Sequence, residues 1–222
     1  MDLNETLIAM HKVYADNPVT AVRGQAFITL LHNYIAEDLS ARIGKTARRS
    51  GFGVVKEATL YGSHKSKNVD VSLIAPMNGP LLTVGVRSQM SSVSKNVLNY
   101  YEGIIGECIS LQERFPMATA GYLYLHPLKS IKTGLELEAI DHTRYAKMYA
   151  AITGRSGQGW KSLRGIYDQF AYMIVDFAKD PPELRDDIVQ AAVPNIDLGI
   201  ATLVDRLVAT TSERNLFLNV FG

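Results

Sequence analysis

Residues 69–90 read VDVSLIAPMNGPLLTVGVRSQM, and their reading decides the fold. VDVSLIAP and LLTVGVRSQM are rich in apolar and β-branched residues, and Met77-Asn78-Gly79-Pro80 between them is a turn cluster. Two strands across so short a turn form an antiparallel hairpin. Upstream, FGVVKEATLY (52–61) predicts a further strand, joined to the hairpin by the polar, turn-rich GSHKSKN. Downstream, Val97, Leu98, Tyr101, Ile104, Ile105, Cys108, Ile109 and Leu111 recur at helical spacing and predict an amphipathic helix over 93–114, ended at Phe115-Pro116. ATAGYLYLHPL (118–128) is apolar almost throughout, as in a central strand buried on both faces. A helix between the third and fourth strands makes a parallel crossover.

The flanks are helical. Helices are expected over 3–15 and over 20–43, where Ala26, Phe27, Leu30, Leu31, Tyr34, Ile35 and Leu39 form an apolar stripe. From about 135 the chain reads as mostly helical, with helices at 140–152, 159–179, 183–192 and 197–209. The expected fold is α/β: a mixed central sheet flanked by helices, with a helical C-terminal part. One domain of 222 residues accounts for the length, its sheet-bearing core at about 20–128 and its helical region at about 135–222.

Composition narrows the classes. With 47% hydrophobic and 20% charged residues, wholesale disorder is excluded. No apolar run approaches the roughly 20 residues of a membrane helix. The start, MDLNETLIAMHKVYADN, carries acids where a secretory signal needs bases, so a cytoplasmic protein is expected. The single Cys108 excludes an intrachain disulfide and a cysteine-rich zinc site, and on an apolar helix face it reads as packing.

The formal net charge of +1 conceals an asymmetry. Residues 41–70 hold seven bases (Arg42, Lys45, Arg48, Arg49, Lys56, Lys65, Lys67) against Glu57 and Asp70, and residues 180–222 hold three bases against seven acids. A basic segment beside a neutral body is the footprint of a polyanion binder, although a solvated basic face has the same composition.

The same hairpin carries the chemistry. Asp70 is read as opening a strand, and alternation places Gly85, Arg87 and Gln89 on one face of the next strand. A magnesium ion needs only one or two carboxylates when a substrate phosphate completes its shell, and a nearby cation can orient water or stabilise developing charge. The structural alternatives are a turn-closing Asp70 and an Asp70–Arg87 salt bridge. Ser91, Ser92, Ser94, Lys95 and Asn96 open the next helix. Serines there suit N-caps, and helix starts also bind phosphates, with Lys95 the best candidate contact. His11, His32, His64, His126 and His142 are scattered without metal-ligand spacing. TGRSGQGWKS (153–162) lacks a P-loop ending and a preceding strand; Arg155, Trp160 and Lys161 in it are instead candidates for reaching a DNA groove.

From Asp70 to Leu128 the chain resembles the core of the PD-(D/E)XK nuclease superfamily, the restriction-endonuclease-like fold, and type II restriction endonucleases within it. VDVSLIAP supplies the Asp, Gly85-Val86-Arg87 stands at the (D/E)xK tripeptide, and VRSQMSSVSKN, GECISLQERFP and GYLYLHPL follow in order. The resemblance implies a magnesium-dependent endodeoxyribonuclease acting on double-stranded DNA as a homodimer, with Asp70 as metal ligand. Two positions depart from the pattern: Gly85 replaces the second acid and Arg87 the Lys, and Arg cannot give up its proton to serve as a base. A helix carboxylate (Glu37, Asp38 or Glu107) can replace the missing ligand, with Glu37 the preferred second metal ligand. Alternatively, Arg87-Ser88-Gln89 is the working tripeptide with Gln89 in the Lys place. The expected catalytic set is Asp70, Arg87, Gln89 and Glu107, with Lys65, Lys67, Ser91, Ser92, Lys95 and Asn96 on the DNA. Glu57 in the first strand is either a ligand or a sheet-surface charge, and is read as the latter. Tyr167, Phe170, Met173, Ile174 and Phe177 are candidates for a dimer face. The alternative function is a catalytically lost member of the same fold that binds DNA without cutting it.

Overall fold

In the computed structural model, which describes residues 2–16, 25–131, 136–157 and 164–222, the hairpin lies inside a six-stranded sheet. β1 (Gly53–Tyr61), β2 (Ser66–Ala75) and β3 (Gly79–Ser88) run antiparallel in sequence order. The helix reaching from Val93 to Arg114 then crosses over, and β4 (Thr119–Pro127) pairs parallel to β3, with Gly85 opposite Tyr122 and Arg87 opposite Tyr124. β4 is buried at every position, as its unbroken apolar run requires.

Counting helices along the chain, α1 is Leu3–Asp16, α2 Gln25–Arg42, α3 Lys45–Arg49 and α4 Val93–Arg114. A short hairpin of β5 (Lys129–Ile131) and β6 (Leu137–Ala139) follows, then α5 (His142–Ala150). β7 (Gln169–Asp176) and β8 (Glu183–Leu184) return to the main sheet, and α6 (Asp186–Ala192) and α7 (Leu203–Arg214) complete the chain. The strand order is β1-β2-β3-β4-β7-β8.

Helices cover both faces. One core joins Leu31, Ile35 and Leu39 of α2 and Leu203 and Leu207 of α7 to Val71, Val84, Leu123 and Met173. The other joins Val97, Ile104 and Cys108 of α4 and Tyr145 and Tyr149 of α5 to Tyr122, Tyr124, Phe170 and Tyr172. Alternation along β4 thus sends leucines to one layer and tyrosines to the other. Among the described residues, no helix is long and apolar enough to cross a membrane.

The expectations for the C-terminal third need correction. The helix expected over 159–179 is the central strand β7 over its second half, parallel to β4. Phe170 to Val175 are apolar and buried on both faces, so the run carries no periodicity to separate helix from strand. Tyr167, Phe170, Met173, Ile174 and Phe177 are therefore core and form no dimer face. The region after 135 is not mostly helical, since it adds two strands to the sheet. Its last helix starts at Leu203, not at 197, and the helix expected at 183 starts at Asp186 after the short β8. The expected helix start at 20–24, together with Trp160 and Lys161, lies outside the described residues. Arg155 is buried at 1% exposure, 3.4 Å from Asp168, and does not reach outward.

Candidate metal centre

Asp70 lies in the middle of β2, because the strand starts at Ser66 within the supposed loop. One carboxylate oxygen, Oδ2, accepts a 2.6 Å hydrogen bond from the Val86 N–H of β3. The other, Oδ1, lies 3.9 Å from Nε2 of His32 on α2. On the same ring, Nδ1 lies 3.0 Å from Glu57 Oε1 of β1. Three elements thus bring together His32, Glu57 and Asp70, whose potential ligand atoms all lie within 4.8 Å of one another. His32 is 5% exposed, Asp70 21% and Glu57 50%, so the group opens to solvent on the Glu57 side. Among the described residues, His32 Nε2 is buried without a hydrogen-bond partner. Burial pushes the Asp70 carboxyl above its ordinary value, while the Val86 N–H and His32 pull it down.

The backbone here is irregular. Glu57 falls between the paired Lys56/Val71 and Ala58/Val69 and has φ of 53°, a left-handed conformation uncommon and costly for a residue with a side chain. Lys67 reaches Glu107 on the α4 side at 2.8 Å, whereas Val71, four residues on, packs in the core on the α2 side. Regular alternation would put both on one face, so the alternation slips between them. Asp70 sits in that slip.

Most other expected site residues are elsewhere. Arg87 faces α4, its guanidinium 4.6 Å from the ring centre of Tyr100, and among the described residues it forms no ion pair with Asp70. Gln89 is 6% exposed; Nε2 donates to the carbonyls of Ser92 and Val93, and Oε1 accepts from the Tyr124 hydroxyl at 2.8 Å. Its amide is engaged in holding the start of α4. Glu107 lies on the α4 side of the sheet, paired with Lys67 at 2.8 Å. Glu37 lines a neighbouring groove of about 440 Å³ with Asn33, Ser40, Arg48 and Lys56. Asp38 pairs with Arg42 at 2.8 Å.

Gly85 has a steric cause. A Cβ built there falls on Cε2 of Tyr122 and 2.6 Å from its Cδ2. An acid at this position would have to displace a buried ring.

At the start of α4, Ser92 takes a left-handed φ of 50° and makes no side-chain cap. Ser94 donates instead to Glu138 of β6, which also accepts from Ser130 at 2.7 Å. A carboxylate therefore already occupies the ground where Ser91, Ser92, Lys95 and Asn96 were expected to hold phosphate, although Lys95 itself is exposed. Of the basic segment, Arg42, Arg48, Lys56 and Lys67 are engaged by Asp38, backbone carbonyls, Asn33 and Glu107. Lys45, Arg49 and Lys65 are exposed.

His32 is absent from the expected site, and Glu57, weighed as a ligand but read as a surface charge, stands beside it. A histidine inside the apolar stripe Leu31-Ile35-Leu39 was the available signal, since a polar ring on a buried face needs a partner. No protein-family model, curated protein or solved structure matches the chain.

Proposed function

We propose that this protein is a divalent-metal-dependent endodeoxyribonuclease of restriction type, cutting double-stranded DNA as a cytoplasmic homodimer. The observation that carries the reading is the trio on the first two strands and their covering helix: Asp70 Oδ1 facing Nε2 of buried His32, which has no hydrogen-bond partner among the described residues, with Glu57 alongside. Two carboxylates and one imidazole, partly open to solvent, suit a divalent ion that keeps positions for water and phosphate. The order β2-β3-α4-β4, with Asp70 on the first of these strands, is also the order the resemblance implies.

Magnesium is the ion the resemblance implies. When bound, a divalent ion supplies Lewis acidity at the phosphate and makes water a better nucleophile. Asp70 and His32 hold it. Lys67, lent direction by Glu107 and close enough to act on the Asp70 carboxyl, offers a cation to the scissile phosphate. Exposed Lys45, Arg49, Lys65 and Lys95 attract the DNA backbone. A homodimer fits because a two-fold duplex target is matched by a two-fold protein.

The test is digestion of plasmid and phage DNA with magnesium, manganese or EDTA, with Asp70→Ala alongside. Discrete fragments that need the ion and vanish in the variant are expected. Intact DNA in both metals refutes the nuclease. The second reading, DNA binding without cleavage, is favoured by one observation: the tripeptide's acid position is closed by Tyr122, and Gln89 is engaged in structure. Binding that falls steeply with salt, without cleavage, selects it.

A further inference from the structure

We propose that His32 Nε2 is a direct ligand of the ion, paired with Asp70 Oδ1 and oriented by Glu57, so that the centre prefers a first-row transition ion such as Mn2+ to Mg2+. This deepens the metal-dependent reading above and rests on it.

The carboxylate beside the ring selects its tautomer. Glu57 Oε1, 3.0 Å from Nδ1, accepts; Nδ1 therefore carries the hydrogen and Nε2 presents a lone pair. A carboxylate behind an imidazole is the usual orienting partner of a metal-bound histidine. Burial of a lone pair with nothing to accept from is unfavourable, and His32 is 5% exposed with Nε2 unpartnered among the described residues. Nε2 and Asp70 Oδ1 are 3.9 Å apart, too far for a hydrogen bond. Ligand bonds of about 2.0–2.2 Å from each span that gap with the ion slightly off the line. Asp70 is oriented in the same way: the Val86 N–H holds Oδ2 and leaves Oδ1 to the ion.

The donor set then decides the ion. Mg2+ takes oxygen ligands in a near-ideal octahedron and keeps much of its water, so a nitrogen held rigidly in a buried ring adds little. Imidazole favours first-row transition ions, and carboxylates suit Mn2+ as well. Glu57 is a positioning residue here, acting through His32.

The experiment uses the full chain, stripped with EDTA and free of DNA. Mn2+ binding is followed by electron paramagnetic resonance, with Mg2+ as competitor, and the electron spin echo is examined for nitrogen coupling. We expect one Mn2+ per chain, displaced only by a large Mg2+ excess, with coupling from a directly bound imidazole. His32→Gln should lose the coupling and weaken Mn2+ binding by about tenfold or more. Glu57→Gln, whose amide oxygen still accepts from Nδ1, should keep the coupling, and Glu57→Ala should weaken binding. The wild-type echo is decisive even if His32→Gln does not fold. Bound Mn2+ without nitrogen coupling, or Mg2+ binding as tightly as Mn2+, overturns the inference and leaves the metal-dependent nuclease standing. No divalent ion bound at all overturns both.

Discussion

Gly85 offers a test of why the tripeptide lacks its acid. The perturbation is Gly85→Ala, one methyl group on β3. That methyl would meet Tyr122, which sits opposite in the parallel register, at 2.6 Å from Cδ2 and closer to Cε2. Carbon atoms rest at about 3.5–4.0 Å, so ring or strand must move by roughly 1 Å. Neither is free to do so. The ring stacks on Phe170 at 5.4 Å between centroids and meets Tyr167 at 5.1 Å, and β3 is paired on both sides. Overpacking of this kind costs about 1–3 kcal/mol. Removing a strand glycine returns up to about 1 kcal/mol of backbone entropy. The expected net loss is about 1–2 kcal/mol, read as a lower urea midpoint at unchanged m-value. In a Tyr122→Leu background the methyl has room, so the same substitution should be neutral or stabilising, a coupling of at least about 1 kcal/mol. An unchanged midpoint for Gly85→Ala, or equal losses in both backgrounds, refutes the steric account and makes Gly85 a simple loss of the acid.

Two further predictions concern pH. His126 is fully buried, with Nδ1 3.0 Å from the Tyr172 hydroxyl, and burial, then His142, push its pKa down to about 3. Its folded value lies below that of the unfolded chain, which takes up the extra proton; its stabilisation is present above about pH 6.5 and lost towards pH 3. The melting temperature of the wild type should therefore fall more steeply between pH 7 and pH 4 than that of His126→Phe, and parallel curves would count against this. Asp186 is the opposite case: burial first, then Asp197 and Asp187, push its carboxyl up to about 6, and Oδ1 is buried without a partner among the described residues. The stability it contributes is full below about pH 3.8 and lost as pH rises through 6. Asp186→Asn should raise the melting temperature at pH 8 and leave it nearly unchanged at pH 4; a loss at pH 8 would show that the charged form is stabilised.

The hairpin and crossover were legible because each carried its own punctuation. Met77-Asn78-Gly79-Pro80 marked the turn, Phe115-Pro116 ended the helix at its observed boundary, and the apolar stripe from Val97 to Leu111 left one reading. β7 carried no such marks. Its apolar run satisfies helix and central strand equally, and only pairing with β4, 48 residues earlier by the Tyr122/Phe170 register, decides between them. Pairing of that range leaves no local trace. Asp70 was placed on the correct strand but at its start, because Ser66-Lys67-Asn68 looks like a loop when its cross-strand partners Thr59, Leu60 and Tyr61 are unseen.

The trio was illegible for a related reason, and that bears on the nuclease proposal. His32, Glu57 and Asp70 have no common spacing; they meet because α2 crosses the first two strands where the side-chain alternation slips. A search for a second acid along β3 ends at Gly85, and Tyr122 shows why no side chain fits there. Glu57 lies on the other neighbour of β2, at the one step of β1 with a left-handed backbone. Under the proposed reading the second ligand is the His32 imidazole from the covering helix, oriented by Glu57, in place of an acid on β3. The departures at Gly85 and Arg87 then count less against activity than they do in a linear motif. What must be intact is Asp70 Oδ1 and the Nε2 it faces, so loss of ion binding should follow His32 and Asp70 and be indifferent to Gln89.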